Sequence, residues 1–209
     1  MLWPSEAGLK MKKARSYRIA KYVVNKHTNI QHKENIWTFI GAFCGIAIIG
    51  FLQSLQFPDM DNAFFIGSFG ATAVLIYGAT KSPFAQPRNL FFGHGLSAFA
   101  GVTIGILIPQ PQLIWLSAAL AVSIAIYLMQ ITKTVHPPGG ATALIAVIGS
   151  DAIRELGYLY ILFPVLSSVF IMYFIAVIVN HVSLDRDYSR ELFRRIFCKS
   201  STGKKLIDE

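Results

Sequence analysis

The feature that most constrains this chain is a long stretch that is almost free of charged side chains. Between Ile36 and Val179 only eight Asp, Glu, Lys or Arg residues occur, and they stand in short breaks between apolar runs. Over the whole chain 14% of the residues are charged, whereas about a quarter are charged in soluble domains. This distribution predicts an integral membrane protein that crosses the bilayer several times.

Six apolar runs make up this stretch. At a rise of about 1.5 Å per helical residue, the first, third, fourth and sixth runs are long enough to cross about 30 Å of hydrocarbon. The second run is marginal and the fifth is short. Either all six cross the membrane, or four cross and the two short ones are re-entrant. The runs are roughly Ile36–Leu55, Ala63–Ala79, Leu90–Ile108, Leu113–Ile131, Pro138–Ser150 and Tyr158–His181.

Charge placement favours six spans with both termini in the cytoplasm. In that topology Lys81, Arg88 and Lys133 fall on the same side as the basic ends of the chain, and Asp59 and Asp61 fall on the other side. With only four spans, the same three basic residues would lie outside. Cytoplasmic loops carry an excess of Lys and Arg, so the six-span topology fits better.

Composition divides the chain into three parts. We expect a basic cytoplasmic N-terminal segment over residues 1–35, a transmembrane domain over 36–181 and a basic cytoplasmic tail over 182–209. Basic ends beside apolar spans are retained on the cytoplasmic side, so the net charge of +8 does not predict nucleic-acid binding. Because the leader does not resemble an organelle transit peptide, we expect a bacterial-type inner (plasma) membrane.

The two short runs resemble each other. Gly70-Ala71-Thr72-Ala73 and Gly140-Ala141-Thr142-Ala143 have the same G-A-T-A sequence at a separation of 70 residues. This indicates two repeats of three helices, about 36–109 and 112–181, and an odd number of spans would invert the second repeat relative to the first. Transporters built in this way bind substrate where the repeats meet. Chance is the alternative, because Gly, Ala and Thr are common in membrane helices.

The chemistry that we expect from the short helices is anion binding at their starts. A helix start presents unpaired N–H groups and a partial positive charge, and glycine lets an anion approach the backbone. Pro137 and Pro138 suit a helix start, and hydroxyls nearby are further donors. The predicted anion-binding residues are Ser68, Gly70, Thr72, His136, Gly139, Gly140 and Thr142. The alternative is that the glycines allow close helix packing and the threonines bond back to helix carbonyls.

Other ionisable residues are assigned to the pathway around this site. Lys81, Arg88, Lys133 and His94 would act by electrostatic attraction, although a packing role for His94 between Gly93 and Gly95 is preferred. No Asp or Glu is expected inside a span, which weighs against a cation pathway and against an enzyme that uses carboxylates. No metal-ligand spacing is present in the sequence, so neither a metal nor a cofactor is expected.

Two longer motifs resemble those of the HPP family of integral membrane proteins. TVHPPGGATALIAV (Thr134–Val147) is similar to the family signature, and GSFGATAVLIYGATKSPFAQPRN (Gly67–Asn89) is similar to its other strong block. The ending Asn180…Arg186-Asp187-Tyr188 resembles the family's close, with His181 in place of a second Asn. The family is commonly described with four transmembrane helices, and its plastid and cyanobacterial members are linked to nitrite transport. The resemblance therefore implies nitrite or a similar small anion.

The sequence thus predicts an all-α membrane transporter or channel for a small inorganic anion, not an enzyme. A membrane sensor or scaffold protein is the alternative, and an intramembrane enzyme is less favoured. The expected partners are the anion and the lipid bilayer. The Gly- and Ala-rich third and fourth spans provide a surface for a homo-oligomer.

Overall fold

A computed structural model describes residues 32–57 and 59–182, and within these ranges helices are joined by short turns, without strands. The predicted N-terminal segment and tail therefore lie almost wholly outside the described residues. The helices are α1 (His32–Ser54), α2 (Asp59–Ala73), α3 (Pro87–Leu107), α4 (Ile114–Ile131), α5 (Pro138–Ile148), α6 (Asp151–Glu155) and α7 (Ser167–Val182). Val74–Gly78 extends α2 and Ile161–Leu166 precedes α7, both as π-helix, and Pro83–Ala85 and Pro111–Leu113 are 3₁₀ turns.

The lengths of the helices confirm the predicted mixture of long and short apolar segments. Within the described residues four helices are long and apolar enough to cross a membrane: His32–Ser54, Pro87–Leu107, Pro111–Ile131 and Ile161–Asn180. Two apolar helices are shorter, Phe64–Gly78 and Pro138–Ile148. Large apolar side chains such as Phe39, Phe92 and Trp115 are exposed on the outside of the bundle, as expected for a surface that contacts lipid.

The centre of the bundle is α3, which packs closely on α5 because both helices carry small residues. A Cβ atom at Gly101 would overlap the Ala143 carbonyl oxygen and lie 2.8 Å from Ala146 Cβ. Ala98 and Ala143 are completely buried. Small side chains let helix backbones approach each other, which is the main source of packing energy inside a membrane.

Hydrogen bonds between distant residues define the two ends of the bundle. At one end, Arg88 Nη2 donates to the Thr132 carbonyl and Asn89 Nδ2 to the Val135 carbonyl, both at 2.8 Å; we call residues 79–89 and 132–137 the basic end. At the other end, the Ser150 amide donates to Asp61 Oδ1 at 3.0 Å; we call this the Asp61 end. Since α2 starts where α5 finishes, the two short helices are antiparallel.

Candidate functional site

The two G-A-T-A segments come together where the last turns of α2 meet the first turns of α5. The Ser68 hydroxyl on α2 donates to the Pro138 carbonyl in the first turn of α5, at 3.2 Å. The same oxygen lies 3.2 Å from Thr142 Oγ1. Both hydroxyls are buried. The structure therefore brings predicted site residues from the two halves of the chain into one polar cluster.

The predicted helix start in the first half of the chain is wrong. Helix α2 begins at Asp59, so Ser68, Gly70 and Thr72 lie inside the helix. Backbone N–H groups in a helix interior are already bonded to carbonyls one turn earlier, and they cannot bind an anion. The segment Asp59 to Asn62, three of whose four residues are polar, precedes the apolar run and belongs to the helix because Ser150 satisfies Asp61.

The predicted helix start in the second half is correct, but its glycine N–H groups have partners. Helix α5 begins at Pro138. The Gly139 amide donates to the His136 carbonyl at 2.9 Å, and the Gly140 amide donates to the Pro137 carbonyl at 3.1 Å. An anion would have to displace these bonds, so the expectation that backbone N–H groups are the main donors needs correction. Side chains are the better candidates.

Close packing explains Gly139. A Cβ atom there would lie 2.6 Å from Ser97 Oγ and 2.9 Å from the Gly93 carbonyl oxygen. Gly93 is also required for the close approach of α3 to the start of α5, because an added Cβ atom there would overlap the Cβ of His136. These glycines set the distance between α3 and the start of α5, as the packing alternative predicted.

Gly70 and Gly140 differ from Gly139 because each has space beside it. A Cβ atom at Gly70 would meet nothing within 4 Å, and one at Gly140 would make only an ordinary contact of 3.9 Å with Val122 Cγ1. Neither glycine is needed for helix packing within the described residues. Both flank the buried hydroxyls in sequence, since Ser68 and Thr142 are two residues away.

Two histidines extend the hydroxyl cluster into a continuous network. His94 Nδ1 lies 2.7 Å from Thr142 Oγ1, and His94 Nε2 lies 3.0 Å from Thr72 Oγ1. Thr72 Oγ1 is also 3.3 Å from His136 Nε2, and the two imidazole rings are 4.8 Å apart between centroids. All five side chains, including Ser68, are buried. His94, for which packing was preferred, is thus at the centre of the polar network.

The protonation pattern of the neutral network follows from one backbone contact. His136 Nδ1 lies 2.8 Å from the Phe84 carbonyl, which can only accept, so this nitrogen carries the hydrogen. His136 Nε2 is then an acceptor for the Thr72 hydroxyl. Thr72 Oγ1 also lies 3.3 Å from the Ser68 carbonyl, the bond back to the helix that the packing alternative predicted. The Thr72 hydroxyl therefore has two competing acceptors for one hydrogen.

The predicted pathway cations lie away from this network. Lys81, Arg88 and Lys133 are exposed at the basic end. Arg88 holds the loop after α4 through the Thr132 carbonyl, at 2.8 Å. In the described part of the chain, no third His, Cys, Asp or Glu joins His94 and His136 in a group that could hold a metal ion.

Sequence reasoning missed two buried groups near the site. Asp61, expected outside the membrane, is 1% exposed and accepts hydrogen bonds from both the amide and the hydroxyl of Ser150. Asp61 lies in the first turn of α2, before the apolar segment Phe64–Gly78. Tyr160 is completely buried and donates to the Thr142 carbonyl at 3.0 Å. Neither residue stands in a motif, and the partner of Asp61 is distant in sequence.

These features define a helical, multi-pass integral membrane protein with a buried polar centre. The sequence profile of the family described as "HPP, transmembrane region" matches residues 27–189. The chain belongs to the HPP transmembrane family, as its motifs predicted.

Two curated proteins of Dictyostelium discoideum, each named only as a transmembrane protein, are similar to this chain. One is 43% identical over 153 residues, which is 73% of this chain and 53% of the relative. The other is 44% identical over 153 residues, 73% of this chain and 49% of the relative. The chain thus spans about half the length of the curated relatives that it matches. No solved structure matches the chain.

Proposed function

We propose that this protein transports a small inorganic anion, nitrite or an anion of similar size, through the polar network between α2, α3 and α5. The observation that carries the proposal is the network itself: three hydroxyls and two imidazoles buried together where the two G-A-T-A helices meet. Burial of so many polar groups in a membrane bundle is costly, and such groups usually belong to a substrate path.

The chemistry of the network suits a weakly held anion. Hydroxyls and imidazole N–H groups donate hydrogen bonds without a fixed full charge, so an anion is bound and also released. In the described structure these donors bond to one another and to the Pro138, Ser68 and Phe84 carbonyls, and an entering anion would exchange some of those bonds for its own. Gly70 and Gly140 are half-buried and a Cβ atom there would have no close neighbour, so the proposed approach of the anion is along these glycines. Ser68, Thr72, Thr142, His94 and His136 are therefore the proposed ligands.

The proposed path runs through six membrane crossings in two inverted repeats, with both termini in the cytoplasm of a bacterial-type plasma membrane. The supporting observation is that α2 and α5 each run from one end of the bundle to the other. A re-entrant segment would instead return to the end at which it entered. Helix α2 leads from the Asp61 end to the basic end, and α5 leads back. After Cys44 and Cys198 are replaced by Ser, a membrane-impermeant thiol reagent should label a cysteine at position 59 from outside but not one at 81 or 133.

Transport is tested with the purified chain in proteoliposomes. Stopped-flow uptake of nitrite is compared with that of nitrate, formate and chloride, and protein-free vesicles measure passive leakage. Ser68→Ala removes one donor and should raise the half-saturating anion concentration by about tenfold. The matched control is Ser117→Ala, which removes a buried hydroxyl that donates to the Ile108 carbonyl, outside the network. Equal uptake by all three proteins would refute the site, and the absence of uptake above leakage would refute transport.

A further inference from the structure

We propose that the series Ser68–Thr142–His94–Thr72–His136 is a proton path, and that one proton crosses the membrane domain with each anion. This inference rests on the proposed function, because the anion supplies the countercharge. Anion binding requires only that hydrogen-bond donors lie close together. Proton transfer also requires that they follow one another without a gap, as they do in this network.

The path is continuous at hydrogen-bond distance. Its successive contacts are 3.2 Å from Ser68 Oγ to Thr142 Oγ1, 2.7 Å to His94 Nδ1, 3.0 Å from His94 Nε2 to Thr72 Oγ1, and 3.3 Å to His136 Nε2. Each member is a hydroxyl or an imidazole, which both donates and accepts. Every step along the series can therefore pass a proton from one heavy atom to the next.

The Phe84 carbonyl gives the path a direction. It holds the hydrogen of His136 on Nδ1, so Nε2 can only accept, and it does so when the Thr72 hydroxyl turns to it rather than to the Ser68 carbonyl. Thr72 then accepts from His94 Nε2, and His94 Nδ1 accepts from the Thr142 hydroxyl. From Thr142 onwards the donors of this arrangement point towards the basic end, whereas the Ser68 hydroxyl donates to the Pro138 carbonyl and must turn to Thr142 before it passes a proton on. The two histidines have complementary tautomers, with hydrogen on Nδ1 in His136 and on Nε2 in His94.

Proton transfer along this order conserves atoms and charge. A proton that reaches Ser68 from the Asp61 end displaces the three hydroxyl hydrogens and the Nε2 hydrogen of His94 in turn, once Ser68 has turned from the Pro138 carbonyl to Thr142. His136 Nδ1, once it leaves the Phe84 carbonyl, gives its proton to water that enters from the basic end. Each step breaks one O–H or N–H bond and forms another, and nothing is oxidised. Rotation of the hydroxyls and rings restores the first order. The opposite direction uses the same steps in reverse.

The surroundings explain why the proton travels with an anion. His94 faces Phe69 of α2, Thr142 of α5 and His136, and no charged side chain of the described residues hydrogen-bonds to the network. Two other buried titratable groups lie on neighbouring segments. Tyr160, in the segment before α7, donates to the Thr142 carbonyl, and Asp61 on α2 is bonded to Ser150. Lys81, Arg88 and Lys133 are exposed at the basic end. A bare anion would be costly in this environment, and an imidazolium would offset its charge.

The distance between the His94 and His136 imidazole rings sets the number of protons that accompany each anion. Two imidazolium rings with centroids 4.8 Å apart would repel each other strongly in a medium of low dielectric constant. The histidine pair therefore accepts a single extra proton. One proton for one anion makes the transport electrically neutral.

Simultaneous measurement of the two fluxes tests the coupling. Proteoliposomes with trapped pyranine report internal pH, and a chemical assay reports nitrite, at alkaline pH so that free nitrous acid is scarce. We expect one proton per nitrite, and an imposed pH gradient, with both sides alkaline and the outside at the lower pH, should concentrate nitrite inside more than in protein-free vesicles. Thr72→Val removes the hydroxyl between the histidines and should lower the proton flux by about tenfold or more. Thr72→Ser should restore it.

The matched control is Thr103→Val. Thr103 lies on α3 outside the path, where its hydroxyl contacts the Phe99 carbonyl and the Tyr158 hydroxyl. The proton-to-nitrite ratio of this variant should equal the wild-type ratio. Nitrite uptake without proton uptake by the wild-type chain would overturn the inference and leave the proposed function intact. Unchanged proton flux in Thr72→Val would also overturn it. If Thr72→Val does not fold, the wild-type gradient experiment decides, since failure to concentrate nitrite contradicts coupling. Absence of any nitrite uptake contradicts the proposed function instead.

Discussion

Helices α2 and α5 share the sequence G-A-T-A and use it differently. In α5 the motif stands in the first turn after Pro138, and the preceding Gly139 is pressed against α3. In α2 the motif follows eleven residues of helix, and Gly70 has open space beside it. The same four residues thus contribute to a helix start in one case and to a helix interior in the other.

The threonines are what the two segments have in common. Thr72 and Thr142 both turn inwards and both contact His94, through Nε2 and Nδ1 respectively. The repeat therefore places two hydroxyls around one imidazole, whereas the glycines follow the local packing of each helix. A shared motif can preserve a side-chain position while its backbone environment differs.

The largest difference between the two helices should appear at Gly139. In Gly139→Ala the added Cβ would lie 2.6 Å from Ser97 Oγ and 2.9 Å from a backbone oxygen of Gly93, so α3 and α5 must separate. We expect a loss of about 3 kcal/mol or more in stability, or a failure to fold. Thermal unfolding and size-exclusion chromatography in detergent measure this. Gly140→Ala is the control, because its Cβ has only an ordinary contact, and equal stability of the two variants would contradict the packing role.

A second effect should come from the contact that joins the start of α2 to the end of α5. Asp61→Asn replaces the charged acceptor for the Ser150 amide and hydroxyl. Hydrogen bonds to a buried charge are stronger than neutral ones, so we expect a loss of about 1.5–3 kcal/mol in the same unfolding measurement. Asp151→Asn is the matched control, since its side chain is 83% exposed and pairs only with Arg154. A similar loss in both variants would show that Asp61 has no special part in aligning the helices.

The six apolar helices, four long and two short, could be predicted from the sequence, because apolar run length is a local property. The six apolar runs, the start of α5 at Pro138 and the close approach at Gly93 all follow from residue types near one another. The start of α2 could not be predicted, since Asp59 to Asn62 have the composition of a loop. They are helical because Ser150, far along the chain, satisfies Asp61.

The sequence predicted that several of the site's polar residues meet but not how they are arranged, and their binding of an anion stays a prediction. Ser68, Thr72, Thr142 and His136 do meet, as the repeat indicated. The central place of His94 depends on α3 lying between α2 and α5, a tertiary arrangement that no local pattern encodes. The pairing of glycine N–H groups with the His136 and Pro137 carbonyls is likewise a detail of one turn that composition does not show.

Gly70→Ala, on α2, should change stability in the opposite direction to Gly139→Ala on α5. Nothing lies within 4 Å of the added Cβ, so the variant should fold normally. Alanine is favoured over glycine inside a helix, and we expect a gain of about 0.5–1 kcal/mol. The midpoint of unfolding should therefore rise in Gly70→Ala, whereas it falls in Gly139→Ala. A loss of stability at Gly70 would mean that α2 packs there as tightly as α5 does at Gly139.

The smallest expected effect concerns the basic end, where α2 finishes and α5 begins. Arg88→Gln removes an exposed positive charge and the bond to the Thr132 carbonyl, and Lys81→Gln removes a charge alone. If these cations attract the anion to the mouth of the site, both variants should lower nitrite uptake by about twofold at low salt and low nitrite, because salt screens exposed charges. Uptake at saturating nitrite should stay the same. A loss in Arg88→Gln that persists in high salt, with Lys81→Gln unaffected, would show instead that Arg88 acts by holding the loop that leads into α5.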